Sequence, residues 1–178
     1  MVKKLLIALA TLLMLASCEK DPFEAFLEQE SYENKTGLIF DFYPIEFVFR
    51  VTNAQGQNLF DESTPNNWLS KTFYATFDGK DYFWPPVPTK HYLAVLKGFY
   101  IYPQDWYPEP VEALLRFGEL DRTKKWDTSL HLFWPDGSKD VIKIQNAMRW
   151  NEEGEPEFYT AIKLNGTPVE SYIIDLKK

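Results

Sequence analysis

Most of the chain after residue 37 alternates between apolar and polar positions with a period of two, which is the pattern of half-buried β-strands. Within residues 38–51, the apolar set of the alternation is Phe47, Phe49 and Val51. The other segments of this kind are residues 71–77, 82–84, 92–102, 113–117, 126–134, 141–144, 158–164 and 169–176. The pattern therefore predicts about eight or nine strands, at the spacing of a sandwich or barrel.

Turn signals separate these segments. Asp78-Gly79 and Asn165-Gly166 supply the positive φ values that a tight hairpin requires. Residues 135–138 (Pro-Asp-Gly-Ser) form a third turn, between the two strands of the clearest hairpin. Pro44 marks a bend or divides the first segment into two strands, because proline cannot donate to a strand ladder. A short helix that begins at Pro110 is the alternative to a strand over residues 113–117.

We expect one antiparallel β-sandwich of immunoglobulin-like or related topology over residues 37–178, with a β-barrel as the alternative. The cysteine–tryptophan–cysteine pattern of antibody domains is absent, since the chain of 178 residues has a single cysteine. No repeat of fixed period is visible, which argues against a solenoid or propeller. Residues 18–36 are rich in Glu, Lys, Asn and Ser and are expected to form a tether. A short helical piece around Phe23, Phe26 and Leu27 is the alternative.

The first eighteen residues follow a different pattern. Lys3 and Lys4 precede an eleven-residue apolar run over residues 5–15. Such a run fits the hydrophobic region of a secretory signal and is too short to span a bilayer as a permanent helix. The tetrapeptide Leu15-Ala16-Ser17-Cys18 follows directly, and its small residues allow an extended backbone to enter a peptidase.

This tetrapeptide resembles the lipobox of bacterial lipoprotein signal peptides. The resemblance implies that Cys18 carries a diacylglyceryl thioether, that residues 1–17 are removed, and that acyl chains hold the protein in the outer membrane. An ordinary signal peptide with a chance cysteine, or an uncleaved anchor, is the alternative. The acidic residues Glu19 and Asp21 resemble the export signal of surface lipoproteins of Bacteroidota, although Lys20 interrupts them. We expect surface display, with a periplasm-facing lipoprotein as the alternative.

Composition and charge narrow the partners. The net charge is -7, from 19 basic and 26 acidic residues. Removal of residues 1–17 leaves 178 - 17 = 161 residues, and the loss of two lysines gives 17 - 26 = -9. A chain this acidic is repelled by an anionic membrane surface, so attachment is expected through lipid. The same charge argues against a nucleic-acid partner.

No catalytic motif is apparent. The two histidines, His91 and His131, are expected on solvent-facing strand positions. The chain contains neither a His-Glu-x-x-His nor a Gly-x-Ser-x-Gly motif. The four carboxylates within residues 152–157 are expected to belong to a solvated turn, with a weak calcium site as the alternative. We therefore expect a chain that is not an enzyme and has no cofactor or metal. A hydrolase that uses a carboxylate pair is the alternative.

Aromatic residues are the most suggestive feature for binding. Candidate ligand contacts lie in a proline-rich segment, at Tyr100, Tyr102, Trp106 and Tyr107. Rigid aromatic platforms suit a sugar ring, and Tyr and Trp also suit a protein interface. The alternative is that these residues cover the ends of an aromatic-rich core. We expect a non-enzymatic binding or interaction module for a glycan or an envelope protein. An accessory subunit of an outer-membrane complex is the alternative.

Protease treatment of intact cells tests the predicted address. Because lipid at Cys18 is expected to hold the domain on the outer leaflet, the protein should be lost on shaving. The Cys18→Ala variant lacks the attachment site and should leave the membrane fraction. Survival of the native protein on shaved cells, with a control showing that the protease does not cross the outer membrane, would argue for a periplasm-facing domain.

Overall fold

A computed structural model of the chain describes residues 20–86, 97–101, 112–171 and 173–178. The chain divides into two compact units, with the boundary between Glu30 and Ser31. This boundary lies six residues before the predicted start of the domain at residue 37. The first unit contains helix α1 (Pro22–Leu27), whose first turn is capped by Asp21. None of the helices in the described part of the chain is long and apolar enough to cross a membrane.

In the described part of the second unit, ten strands form two sheets. In chain order they are β1 (Ile45–Thr52), β2 (Phe73–Phe77), β3 (Lys80–Trp84), β4 (Gly98–Tyr100), β5 (Leu115–Leu120), β6 (Trp126–Phe133), β7 (Lys139–Trp150), β8 (Pro156–Leu164), β9 (Thr167–Pro168) and β10 (Ile173–Lys177). The four-stranded sheet has the order β10-β1-β5-β4, and the six-stranded sheet has the order β3-β2-β6-β7-β8-β9. The sheets pack face to face without closing into a barrel, which confirms the predicted sandwich.

The predicted tight turns form as the sequence indicates. Asp78 and Gly79 have φ values of 51° and 71°, and Asn165 and Gly166 have φ values of 49° and 87°. Both pairs therefore take the left-handed conformation that matches the twist of the flanking strands. Residues 135–138 close the β6–β7 hairpin, in which Trp134 N donates to Ser138 O at 3.0 Å.

Two strand boundaries differ from the prediction. β1 begins at Ile45, directly after Pro44, and residues 38–44 form no strand. Proline lacks the amide proton that a ladder needs, so the strand starts once that constraint has passed. The strand predicted over residues 113–117 lies at Leu115–Leu120 in the structure, so Gly118 is within β5. There its missing side chain allows a close approach, since a Cβ would lie 2.9 Å from Ile45 O.

The last strand changes sheets. The alternation over residues 169–176 predicts one strand. In the structure the last strand, β10, begins at Ile173 and belongs to the four-stranded sheet, whereas the two-residue β9 before it extends the six-stranded sheet. β10 pairs with β1 in parallel, with Val48 opposite Ile173 and Val51 opposite Leu176. A period of two specifies which face of a strand is buried but not which strand lies beside it, so the pattern left this partner undetermined.

The core between the sheets is dominated by aromatic rings. Trp134 lies at its centre, with ring centroids 5.4 Å from Phe73, 5.8 Å from Trp68 and 6.4 Å from Phe49. Trp68 and Trp84 are also buried in this cluster. Tilted and edge-on ring pairs at such distances add to the gain from burial alone.

A buried carboxylate, that of Asp140, lies at one side of this core. Trp134 Nε1 donates to Asp140 Oδ2 at 2.7 Å, and Asn165 Nδ2 donates to Oδ1 at 2.8 Å. The Lys178 ammonium forms an ion pair with the same carboxylate and lies 5.3 Å from the centroid of the Trp134 ring. Burial alone would raise the pKa of Asp140, but the hydrogen bonds from Lys178, Asn165 and Trp134 outweigh it. The pKa therefore lies below its ordinary value of 3.8.

Replacement of Asp140 tests this ion pair. Asp140→Ala leaves Lys178 buried without its counter-charge and should lower the free energy of unfolding by about 3–5 kcal/mol. The control is Asp127→Ala, because Asp127 forms a 3.2 Å pair with Lys143 in which both side chains are over 40% exposed. It should cost at most about 1 kcal/mol. Urea unfolding of both variants measures the difference.

The pH dependence follows from the direction of the shift. A folded-state pKa below the unfolded value of 3.8 gives stability that is present above that value and is lost as the pH falls through the folded pKa. The stability difference between native chain and Asp140→Ala should therefore narrow in acid. A difference that stays constant down to strongly acidic pH would contradict the role of the ionised carboxylate.

The segment that precedes β1 is attached to the sandwich. We call residues 31–42 the strap. Tyr32 N donates to Trp150 O at 3.0 Å, and Trp150 N donates to Ser31 Oγ at 3.2 Å. Farther along, the Phe40 ring lies 5.5 Å from Trp150, and Phe42 lies 5.1 Å from Phe158. The strap thus lies against β7 and β8, and residues 31–36 of the predicted tether are part of this contact.

Gly154 lies against Lys35 of the strap. It lies in the β7–β8 turn with φ of 82°, and a Cβ there would lie 2.8 Å from Lys35 Cβ and closer still to its backbone nitrogen. Lys35 Nζ also donates to Glu152 O at 3.2 Å. Gly137 has the same role in the β6–β7 turn, with φ of 83°, but a Cβ there would meet nothing within 4 Å.

These two glycines provide a matched test of strap docking. Both Gly154→Ala and Gly137→Ala impose a left-handed conformation on alanine, at roughly 1–2 kcal/mol each. Only Gly154→Ala also displaces Lys35, so it alone should accelerate trypsin cleavage after Lys35. The measurement is the rate at which the fragment beginning at Thr36 appears. Equal rates in the two variants would show that the strap does not depend on this contact.

Candidate functional site

The predicted aromatic loop is only partly placed. Tyr102, Trp106 and Tyr107 lie outside the described residues, so their role in binding stays a prediction. Tyr100 is a half-buried residue of β4 that pairs with Arg116 of β5. It lies on the face opposite the core residue Phe99, since neighbouring strand residues point to opposite sides.

A different set of aromatic side chains lies on the outer face of the six-stranded sheet. Tyr74 of β2 is directly opposite Phe83 of β3 on one side and Phe133 of β6 on the other. Lys139 of β7 is opposite Phe133 and completes the line. We call Phe83, Tyr74, Phe133 and Lys139 the aromatic row. It crosses four strands at right angles to their direction.

The rings of the row are stacked against one another. The centroids of Tyr74 and Phe133 are 4.5 Å apart with an interplanar angle of 11°, and those of Tyr74 and Phe83 are 5.6 Å apart at 32°. The Lys139 ammonium lies 5.2 Å from the Phe133 centroid, within cation–π range. Tyr74 therefore has an aromatic neighbour on each adjacent strand, and Phe133 has Tyr74 and the Lys139 ammonium as neighbours. Phe83, at the end of the row, is 56% exposed.

Polar side chains form the next line of the same face. Thr76 lies opposite Asp81 and His131, and Thr76 Oγ1 donates to Asp81 Oδ1 at 2.6 Å. His131 is exposed, as expected for a solvent-facing strand position. An apolar, aromatic centre beside a polar margin is the usual composition of a protein–protein contact. His91 lies outside the described part of the chain.

Three carboxylates of the sandwich are paired with cations. Glu46 lies 2.8 Å from Arg116, Glu112 lies 2.8 Å from Arg50, and Asp140 is paired with Lys178. Of these three, Asp140 has a lowered pKa despite its burial, because of its hydrogen bonds, whereas a general acid needs a raised pKa. Within residues 20–86, 97–101, 112–171 and 173–178, no three His, Cys, Asp or Glu side chains are grouped to hold a metal ion.

The sequence contained a signal for the aromatic row that motif reasoning missed. In residues 82–84 (Tyr-Phe-Trp), alternation puts Tyr82 and Trp84 on one face and Phe83 on the other. Trp84 is buried and donates from Nε1 to Leu69 O at 3.0 Å. Tyr82 and Trp84 thus face the core, and Phe83 between them is the exposed residue.

A comparison of this chain with protein-family models, with curated proteins and with solved structures finds no match.

Proposed function

We propose that this chain is a non-enzymatic, lipid-anchored module that binds an envelope protein through the aromatic row. The observation that carries the proposal is the line of Phe83, Tyr74 and Phe133 across the outer face of the six-stranded sheet, in which Phe83 is exposed and the other two rings are half-buried. Aromatic residues are enriched at the centres of protein interfaces, where a few of them supply most of the binding free energy.

Ring orientation favours a protein over a glycan. A sugar platform needs ring faces that are open to solvent, but the Tyr74–Phe133 stack covers one face of each ring, and Phe83 and the Lys139 ammonium are further neighbours of these two rings. Ring edges, the Tyr74 hydroxyl and the Lys139 ammonium suit the mixed apolar and polar surface of a protein. The rings are already held against one another, so little side-chain freedom is lost on binding.

The lipid attachment is supported by the resemblance of Leu15-Ala16-Ser17-Cys18 to a lipobox. Acyl chains on Cys18 would hold the domain at the outer membrane, and the residues between Cys18 and the strap would give it reach. The net charge of the mature chain makes lipid the more effective means of attachment. The protein would then act by presenting the aromatic row to its partner, because the lipid anchor keeps the row in the part of the cell envelope where that partner resides.

Site-specific photo-crosslinking in native membranes tests the surface. A photoreactive phenylalanine derivative at Phe83 should give a discrete adduct of higher mass, because the ring at the end of the row contacts the partner. The matched control is the same derivative at Lys143, which is exposed on the same face but away from the row. It should give no such adduct. An adduct from both positions, or from neither, would argue against the aromatic row.

A single substitution gives the complementary result. Phe83→Ser should reduce co-purification of the crosslinked protein at least about tenfold, as expected when an aromatic anchor is removed. Its effect on stability should be small, since Phe83 is over half exposed on a strand at the edge of the described sheet. Stoichiometric co-purification of the native chain would specify an accessory subunit. Binding to a purified glycan that Phe83→Ser abolishes would replace the protein partner by a glycan.

A further inference from the structure

Three large apolar side chains are exposed where the strap meets β1. Ile39 is fully exposed, Tyr43 is 85% exposed and Leu38 is 62% exposed. We call these three residues the apolar ridge. Apolar side chains that remain in water do not contribute the stabilisation that burial would give. Three exposed large apolar side chains within six residues, interrupted by the exposed Asp41, are more than scattered single residues and indicate a contact site.

The ridge is held by the structure on both of its sides. The Asn34 side chain accepts hydrogen bonds from Thr36 N at 3.0 Å and Thr36 Oγ1 at 2.7 Å, and it donates to Leu38 O at 2.9 Å. On the far side, Phe40 and Phe42 pack on the β7–β8 hairpin. Ile39 and Tyr43, which alternate with the packed Phe40 and Phe42, are the two most exposed side chains of the ridge, whereas Leu38 is 62% exposed.

We propose that the apolar ridge inserts into the headgroup region of the membrane that carries the lipid anchor. This proposal rests on the lipid attachment at Cys18 proposed above. Leu38 follows Cys18 by 38 - 18 = 20 residues, so the connecting chain spans at most about 70 Å. The anchor thus keeps the ridge at a high local concentration near the bilayer, and even a weak second contact is then occupied.

The chemistry of the ridge fits this occupant. Leu and Ile suit the acyl boundary, and the amphipathic ring of Tyr suits the headgroup level. Two attachment signals also hold a protein on a membrane more durably than one. Insertion would fix the β7–β8 turn near the bilayer, since Lys35 of the strap contacts Gly154 of that turn.

Charge around the ridge specifies which membrane it prefers. Lys35 is the one cation of the strap, against Glu33 and Asp41. The adjacent turn, residues 151–155, adds three exposed glutamates, at positions 152, 153 and 155. Anionic lipid would therefore repel this end of the domain. The ridge should insert into zwitterionic vesicles, and added anionic lipid should weaken insertion at low salt.

A single fluorophore measures insertion in the lipidated chain. Cys18 is the only cysteine and its sulfur is taken by the lipid, so Asp41→Cys provides one free thiol, between Ile39 and Tyr43. A polarity-sensitive dye there, in phosphatidylcholine vesicles, should shift to shorter wavelength and be quenched by nitroxide lipids. The control label at His131→Cys, on the exposed outer face of the six-stranded sheet, should show neither effect.

The ridge itself is tested by adding Leu38→Ser and Ile39→Ser to the labelled chain. Both the spectral shift and the quenching should be lost, while the chain still sediments with the vesicles through its lipid. Quenching that survives these substitutions, or an unshifted dye in the native ridge, would overturn the proposal. Protection of the dye only when envelope proteins are present would also overturn it, in favour of a protein contact. Failure to sediment would instead contradict the lipid anchor.

Discussion

The buried carboxylate of Asp140 is the interaction on which the rest of the sandwich depends. Its three donors come from three places: Trp134 after β6, Asn165 in the β8–β9 turn, and Lys178 after β10. Lys178 also donates its amide to Thr52 O at 2.7 Å, so one residue connects the six-stranded sheet to the end of β1. A charge at this depth is tolerated only with such partners, and the partners in turn specify how the two sheets meet.

Much of the fold could be predicted from local signals. The Asp78-Gly79 and Asn165-Gly166 turns followed from the need for positive φ, and the strand faces followed from alternation. Alternation places Asp140 on the inner face with Ile142, but neither signal identifies the partners of its carboxylate. An aspartate beside a tight turn is typically a turn-capping residue, and that is the role of Asp136, which accepts a hydrogen bond from Ser138 N at 2.8 Å. Only the fold shows that Lys178 and Asn165 lie beside Asp140.

The candidate surfaces illustrate the same division between local and distant information. The strap and its exposed Ile39 depend on how residues before β1 meet the β7–β8 hairpin, over a hundred positions away in sequence. The aromatic row depends on the register of four strands, which brings Phe83, Tyr74 and Phe133 into one line. Residue type suggested that aromatic side chains matter, but the register selected which of them face solvent.

The parallel pairing of β1 with β10 has a consequence for the order in which the fold is completed. β1 is the first strand of the sandwich, and it lies between β5 and β10. Its hydrogen bonds on one side therefore wait for a strand that follows it by more than one hundred residues. During synthesis, β1 therefore keeps this edge open until the more than one hundred residues between it and β10 have been made. This pairing is non-local and carries the entropy cost of closing a long loop, and until it forms the open edge can pair with other chains.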